Sequence, residues 1–432
     1  MTGLFTPLPD ESRMILDRLQ GLIDKVFPLP ERFRVGLPRD VAELSRLLTS
    51  GRPERGASYL GKPALLSAYL RYFLPWNIYR LSRLLTSLPL ELKPNDAVND
   101  LGAGPLTLTA ALWISRPSLR NIPLEFRCLD RTPAVLDAGK KFFAALTAGT
   151  DCPWTVRTIR GDVRRNGRLS VEIRGKPATL SAAVNVYNEL FWDFSPGDTD
   201  ELERFTESQA CLLSSLTESS GSILVVEPGI PRSGEFISLL RFFLMEEGRY
   251  PAAPCTHKGS CPMPGARTEN RHGTGGKERW CHFAFDTVDA PTELHKLSAA
   301  AHIPKERAVL SFLLAGPVLS QKPIDFATNN LDKKDAHKAP KNHEKIRIIS
   351  DVFHLGDGRD PGAYSWGRYG CGEHGLILVT GSKVALEETP SGALEELSLN
   401  GARDAKSGAF VAVKNKYSNK RLSQDDRYKK VE

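Results

Sequence analysis

The chain has 432 residues, 41% of them hydrophobic, and a net charge of +7. That length allows two or three domains and that composition an ordinary buried core, while no run of 18 apolar residues is present to span a membrane. Seven cysteines, an odd number without a regular framework, suit a reducing compartment better than a secreted disulfide scaffold. Met1 to Phe27 carries Asp10 and Glu11 early and has no apolar core, so it reads as neither a signal nor a transit peptide. The charge excess is local: residues 322–347 hold seven Lys/Arg against four Asp/Glu, and residues 414–432 hold seven against three. A flexible basic linker over residues 321–347 and a basic tail over 414–432 are therefore expected, either solubilising or attracting nucleic acid by charge.

Residues 1–92 predict an N-terminal helical domain. Met14, Ile15, Leu19, Leu22, Ile23 and Val26 follow helical spacing behind Asp10 or Ser12. A second helix opens at Asp40 and ends near Gly51. A third, Leu65 to Leu74, is expected to stop at Pro75, and Trp76 to Leu88 resumes the pattern. Arg71, Arg80 and Arg83 read as arginines on the wet faces of packed helices, with a polyanion-facing role as the alternative.

From Lys93 the pattern changes. Strands are expected at 97–101, 124–130, 154–159, 181–187 and 222–227, and helices at 106–115, 133–146, 199–216 and 233–247. Repeated β-α units of this length predict an α/β fold, a doubly wound, Rossmann-like sheet over residues 93–320. Within it, residues 250–285 form a cysteine-rich insertion. A helix over 292–301 and a strand over 308–315 follow. Residues 348–413 read as a small β-rich C-terminal region containing the closing strand Gly375–Gly381.

Asp100-x-Gly102-Ala103-Gly104 lies between a strand and a helix, where a glycine turn aims backbone N–H groups at a ligand. Leu106 and Thr107 stand where the third glycine of the dinucleotide fingerprint would fall. Asp130 ends the second strand, where a carboxylate can accept hydrogen bonds from ribose hydroxyls. Asp162, after the third strand, can meet an adenine amino group. Acidic residues at all three strand ends, without an arginine cradle for pyrophosphate, suit S-adenosylmethionine better than NAD; tight turns alone are the plainer alternative. The fourth strand runs into Asn188-Glu189-Leu190, making Asn188 and Glu189 candidates for the methyl-acceptor side. An asparagine there can hold an exocyclic amine, or simply cap the next loop. Gly273-Thr274-Gly275-Gly276-Lys277 resembles a phosphate loop, but Arg271 occupies the first glycine position and Glu278 replaces the Ser/Thr.

Cys255, Cys261 and Cys281 fall in one short window beside prolines, glycines and histidines. Proline-flanked thiolates held in a loop suit an iron–sulfur site. Cys371, in Tyr369-Gly370-Cys371-Gly372, is the best remaining fourth ligand because it too is expected in a glycine-rich turn, whereas Cys128 in a strand and Cys211 on a helix are expected in the core. Histidines 257, 272 and 282 keep a mixed Cys/His zinc site open, and unligated cysteines are the third possibility.

Five segments carry a family resemblance: Asp100-Leu101-Gly102-Ala103-Gly104-Pro105, Asn188-Glu189-Leu190, Val226-Glu227-Pro228-Gly229, Cys255-Thr256-His257-Lys258-Gly259-Ser260-Cys261-Pro262 and Trp280-Cys281-His282-Phe283. Over roughly residues 60 to 380 the chain resembles the methyltransferase-like family of mitochondrial small-ribosomal-subunit assembly factors and their bacterial relatives. The resemblance implies a class I methyltransferase fold binding S-adenosylmethionine, a [4Fe–4S] cluster on four cysteines, and association with the small ribosomal subunit or its rRNA. It transfers Cys255, Cys261 and Cys281 directly. The chain departs from the family by a Gly/Arg/Glu-rich insert near Gly265–Glu278 and by placing Cys371 ahead of the final strand, where it has Val379-Thr380. The expected function is S-adenosylmethionine-dependent methylation of rRNA, or small-subunit assembly, in a bacterial cytoplasm. A non-catalytic RNA-binding scaffold and a methyltransferase of small molecules or proteins are the alternatives.

Overall fold

The computed structural model describes residues 3–52, 59–195, 199–265, 279–318, 343–356 and 364–414. The expected basic tail beyond Lys414, the insert over 266–278 with His272, and most of the expected linker lie outside the described residues. The chain forms two compact units: one of Leu4–Pro254 with Met263–Lys322, and one of Met1–Gly3, Cys255–Pro262 and Pro323–Glu432.

The first unit is built on a mixed sheet. Its strands are β1 (Asp96–Leu101), β2 (Leu124–Asp130), β3 (Thr155–Arg160), β4 (Ala178–Val184), β5 (Thr217–Pro228), β6 (Arg249–Ala253), β7 (Phe283–Asp286) and β8 (Arg307–Val318). They lie in the order β3-β2-β1-β4-β5-β8-β6, with β7 also on β8. The first five pair in parallel, and β8 runs antiparallel to β5. A reversed strand beside the fifth strand completes the class I methyltransferase arrangement. The chain winds outward from β1 to β3 and then returns to β4, so a switch point opens between the carboxyl ends of β1 and β4. Period-two alternation sends Leu101, Leu129, Ala183, Val225 and Leu313 to one face, where they pack with Leu202, Phe205, Phe236 and Leu240 of the helices Thr199–Leu216 and Pro231–Glu246. Those helices and Pro133–Leu146 stand where the spacing put them.

The N-terminal helices share this unit with the sheet. Two expectations about them are corrected. The helix does not stop at Pro75: Pro63–Ala68 continues through a π-turn, Tyr69–Phe73, into Leu74–Leu85. The Leu74 N–H reaches back five residues to the Tyr69 carbonyl, and Pro75 then enters the first turn of the next helix, where an N–H is dispensable. Nor are the arginines on a wet face. Arg71 is buried and donates to Asp24 (3.1 Å), Ser67 (2.9 Å) and the Phe27 carbonyl. Arg83 is buried against Asp289 at 2.7 Å. Each exchanges hydration for fixed partners, which is what lets a guanidinium sit inside. Cys128 is buried as expected, but Cys211 is exposed rather than in the core, its thiol 3.8 Å from Glu247.

The C-terminal unit is a closed barrel of β9 (His343–Ile348), β10 (Trp366–Gly372), β11 (Gly375–Gly381), β12 (Leu394–Arg403) and β13 (Phe410–Lys414). Strand β9 begins inside the expected linker. The order is β9-β12-β13-β11-β10, and β10 pairs back to β9 to close the ring. Only β11 and β13 run parallel, and a helix, Lys383–Glu387, joins β11 to β12. This is the five-stranded Greek-key barrel of the OB type. Ile346, Ile348, Ile377, Val379, Leu397, Leu399 and Ala412 fill it. Cys371 therefore lies within a strand rather than in a turn.

Candidate cofactor site

The site assembles where β1 and β4 end. After Asp100 and Leu101 the chain turns through Gly102 (φ +68°) and Gly104 (φ +55°) into the helix Thr107–Ser115. A Cβ on Gly102 would stand 2.5 Å from Val186 Cγ2, so glycine alone lets this loop pass the loop after β4. Asp130, at the end of β2, accepts from the Gly104 N–H (3.0 Å) through one oxygen and from the Thr132 N–H (2.8 Å) through the other. Burial raises its pKa against those two donors, which lower it. It is half-buried, and its N–H partners fix the carboxylate in place.

Asp100 is different. It is buried, its Oδ2 has no hydrogen-bond partner among the described residues, and desolvation, with Asp130 adding to it, lifts its pKa to about 8. A small cavity opens over it, lined by Tyr69, Asn77, Asp100, Gly102, Gly104 and Asn185. Burial and the charges of Glu189 and Asp130 raise the Tyr69 pKa. A larger open cleft of about 240 Å³ near Phe143, Cys152 and Trp154 offers Lys140 and no acid. The smaller cavity is the better candidate because polar groups converge on it. Asp162 is exposed, and its backbone N–H donates to Ser170 Oγ at 2.7 Å.

On the β4 side, Asn185 adopts a left-handed conformation (φ +56°) and its N–H bonds the Val226 carbonyl at 2.8 Å. The next three N–H groups converge on the fully buried Glu227: Val186 and Tyr187 donate to Oε1 (3.1 and 2.9 Å) and Asn188 to Oε2 (3.1 Å). Burial nonetheless pushes Glu227 up to about 8. Asn188 is buried, and its side-chain oxygen has no partner among the described residues. Glu189 is half-buried and faces Arg131 at 3.5 Å. Of the residues expected from sequence, Asp100, Gly102, Ala103 and Gly104 line the cavity and Asp130 braces its loop. Tyr69, Asn77 and the positioning role of Glu227 were not legible.

The cysteines divide differently. Cys255, Cys261 and Cys371 belong to the barrel unit and Cys281 to the sheet unit. His257 Nε2 lies 3.1 Å from Cys371 Sγ, and Thr256 Oγ1 donates to the Cys371 carbonyl at 3.5 Å. Among the described residues no group of three or more His, Cys, Asp or Glu side chains is placed to hold a metal ion.

Residues 199–325 match the family model of the mitochondrial small ribosomal subunit protein Rsm22. The resemblance read from the motifs holds. The matched span runs from the helix Thr199–Leu216 through β8 and includes the cysteine window. No curated protein sequence matches the chain. Among solved structures it is similar to a putative class I S-adenosylmethionine-dependent methyltransferase from Listeria monocytogenes, at 9% identity over 73% of this chain and 90% of that one, TM-score 0.31. It is also similar to an S-adenosylmethionine-dependent methyltransferase from Geobacter sulfurreducens, solved with S-adenosyl-L-homocysteine, at 14% identity over 56% of this chain and 91% of that one, TM-score 0.28.

The protonation of Asp100 has a measurable consequence. Between the ordinary carboxyl value of 3.8 and about 8 the folded state holds a proton that the unfolded state has released, so stability falls as pH rises through that window. Asp100→Asn removes this contribution, leaving that of Glu227. In urea unfolding from pH 5 to 9 the variant should lose less stability than the wild type, by at least about 1 kcal/mol, the scale of one pKa unit. Parallel pH profiles would show that Asp100 is not desolvated.

Proposed function

We propose that this protein binds S-adenosylmethionine at the carboxyl edge of β1, β2 and β4 and acts on the small ribosomal subunit, as an rRNA methyltransferase or an assembly factor. The observation that carries the cofactor reading is Asp100, which lines a cavity whose glycine loop is fixed by Asp130 and has a buried oxygen without a partner among the described residues. The residues fit the group: Asp130 offers a carboxylate to ribose hydroxyls, and Asp100 an acceptor for a cationic amine or sulfonium. When bound, the cofactor supplies an electrophilic methyl group. Asn188, held by Glu227 through its own N–H, presents its buried side-chain oxygen near that edge as the candidate for orienting an amine acceptor. The proposal includes catalysis of methyl transfer and a cytoplasmic location; a non-catalytic scaffold retaining the pocket is the second reading. The family match over residues 199–325 supports the small subunit as partner. No helix among the described residues is long and apolar enough to cross a membrane.

Sedimentation of the purified protein with isolated small subunits tests the partner. Binding should weaken steeply between about 50 and 200 mM salt as phosphate contacts are screened. Failure to pellet with small subunits even at the lowest salt would remove the ribosome from the account.

The [4Fe–4S] cluster that the resemblance implies for Cys255, Cys261, Cys281 and Cys371 is the finer part of the proposal; the sequence motif supports it, whereas among the described residues no three or more ligating side chains are placed to hold a metal ion. Anaerobic purification should yield a brown protein with broad absorbance near about 400 nm, lost in Cys255→Ser. A colourless protein with stoichiometric zinc would replace iron with zinc, and a metal-free one would leave the cysteines unligated.

A further inference from the structure

Two residues that line the cavity over Asp100, Asn77 and Asn185, accept hydrogen bonds from one arginine. Arg80, on the helix Leu74–Leu85, reaches the β4 side. Its Nη2 donates to Asn185 Oδ1 (2.9 Å) and Asn77 Oδ1 (3.3 Å), both residues of the cavity wall, and its Nη1 to the Val309 carbonyl (3.3 Å). Its Nε–H is buried without a partner among the described residues. A guanidinium has five donors and no acceptor, so an unmatched buried N–H on a cation is costly and calls for an anion.

The groups facing Arg80 do not supply that anion in full. Asn77 and Asn185 are neutral amides. Tyr69 is held protonated, since burial raises its pKa. Glu227 favours the Arg80 cation, but burial pushes that carboxyl up to about 8, so near neutrality it carries only part of a charge. Lys305 adds a like charge: burial first, and Arg80 second, lower it to about 8. Desolvation lowers Arg80 itself to about 10, so the guanidinium stays charged at physiological pH.

The backbone supports the placement. Eight α-helical steps would turn Asn77 roughly 80° away from Tyr69, whereas the π-turn over Tyr69–Phe73 absorbs one residue and brings the two to within roughly 20°. Tyr69 and Asn77 therefore reach one cavity from one helical run, and Arg80 follows one turn after Asn77.

Asp130 marks the ribose end of a bound nucleoside at β2. The tail of the same ligand then extends across Gly102 toward β4, where Arg80 stands. From the unmatched Arg80 Nε–H and its hydrogen bonds to two residues of the cavity wall, we infer that Arg80 anchors the amino-acid carboxylate of the cofactor, with Asn77 and Asn185 holding its guanidinium in place. This inference rests on the cofactor reading above and assigns the N-terminal helices a share of the site.

Calorimetric titration with two ligands separates the two claims: S-adenosylhomocysteine, and 5′-(3-aminopropylthio)adenosine, which keeps the amine and lacks only the carboxylate. The wild type should prefer S-adenosylhomocysteine by roughly tenfold to a hundredfold, the range of one charge-assisted contact. Arg80→Met should abolish that preference while binding the descarboxy ligand as the wild type does, and Arg80→Lys should restore part of it. Wild-type protein that binds neither ligand would overturn the cofactor reading and this inference together. An intact preference in Arg80→Met would overturn the inference alone. Equal loss of both ligands in a variant that melts like the wild type would also overturn it, since Arg80 would then shape the pocket rather than hold the carboxylate.

Discussion

Three carboxyl groups stand at the carboxyl edge of the sheet, and the way each is satisfied organises everything around them. Glu227 takes three consecutive N–H groups and so sets the course of Val186–Asn188. That course brings Val186 against Gly102, leaving no room for a side chain there. Asp130 takes the Gly104 N–H and holds the other lip of the loop. Asp100, between them, receives nothing through Oδ2 from the described residues. A fold that satisfies two neighbouring carboxyl groups and strands the third has spent stability on a site, because a buried acceptor left open costs about 1–3 kcal/mol.

The strand order explains why the open acceptor sits there. The chain leaves β1 in one direction and returns to β4 from the other, so a crevice forms between their carboxyl ends. What reaches this crevice is the helical run before β1, through Tyr69, Asn77 and Arg80. The helices are thus part of the cofactor edge of the sheet unit rather than an appendage to it.

Much of this was legible in the sequence because it follows short-range rules. The helices Pro133–Leu146 and Thr199–Leu216 and the glycine loop after Asp100 carry period and turn signals that tertiary packing did not override. What was lost depended on contacts distant in sequence. Pro75 signalled a stop, yet a π-turn carried the helix past it, and the same turn hid the shared direction of Tyr69 and Asn77 from a helical wheel. Arg71 and Arg83 looked solvated until Asp24 and Asp289 came into place. Glu227 lies 41 residues from Val186, whose N–H it receives, so no local pattern could reveal it. The barrel was unreadable because its closure depends on β9 meeting β10. Strands two and three of such barrels commonly offer a face to oligonucleotides; here Cys371 on the second strand already carries contacts from Thr256 and His257 of the chain's own cysteine segment.

The central claim is that one cofactor joins the ends of β1, β2 and β4 to the helix above them. Amide hydrogen exchange with and without saturating S-adenosylhomocysteine tests it most directly. The account predicts slower exchange at Gly102–Thr107, at Asp130–Thr132, at Asn185–Asn188 and along Tyr69–Arg80, with the OB-type barrel unchanged. Protection confined to the cleft near Phe143 and Trp154, or none at Gly102–Thr107, would contradict it.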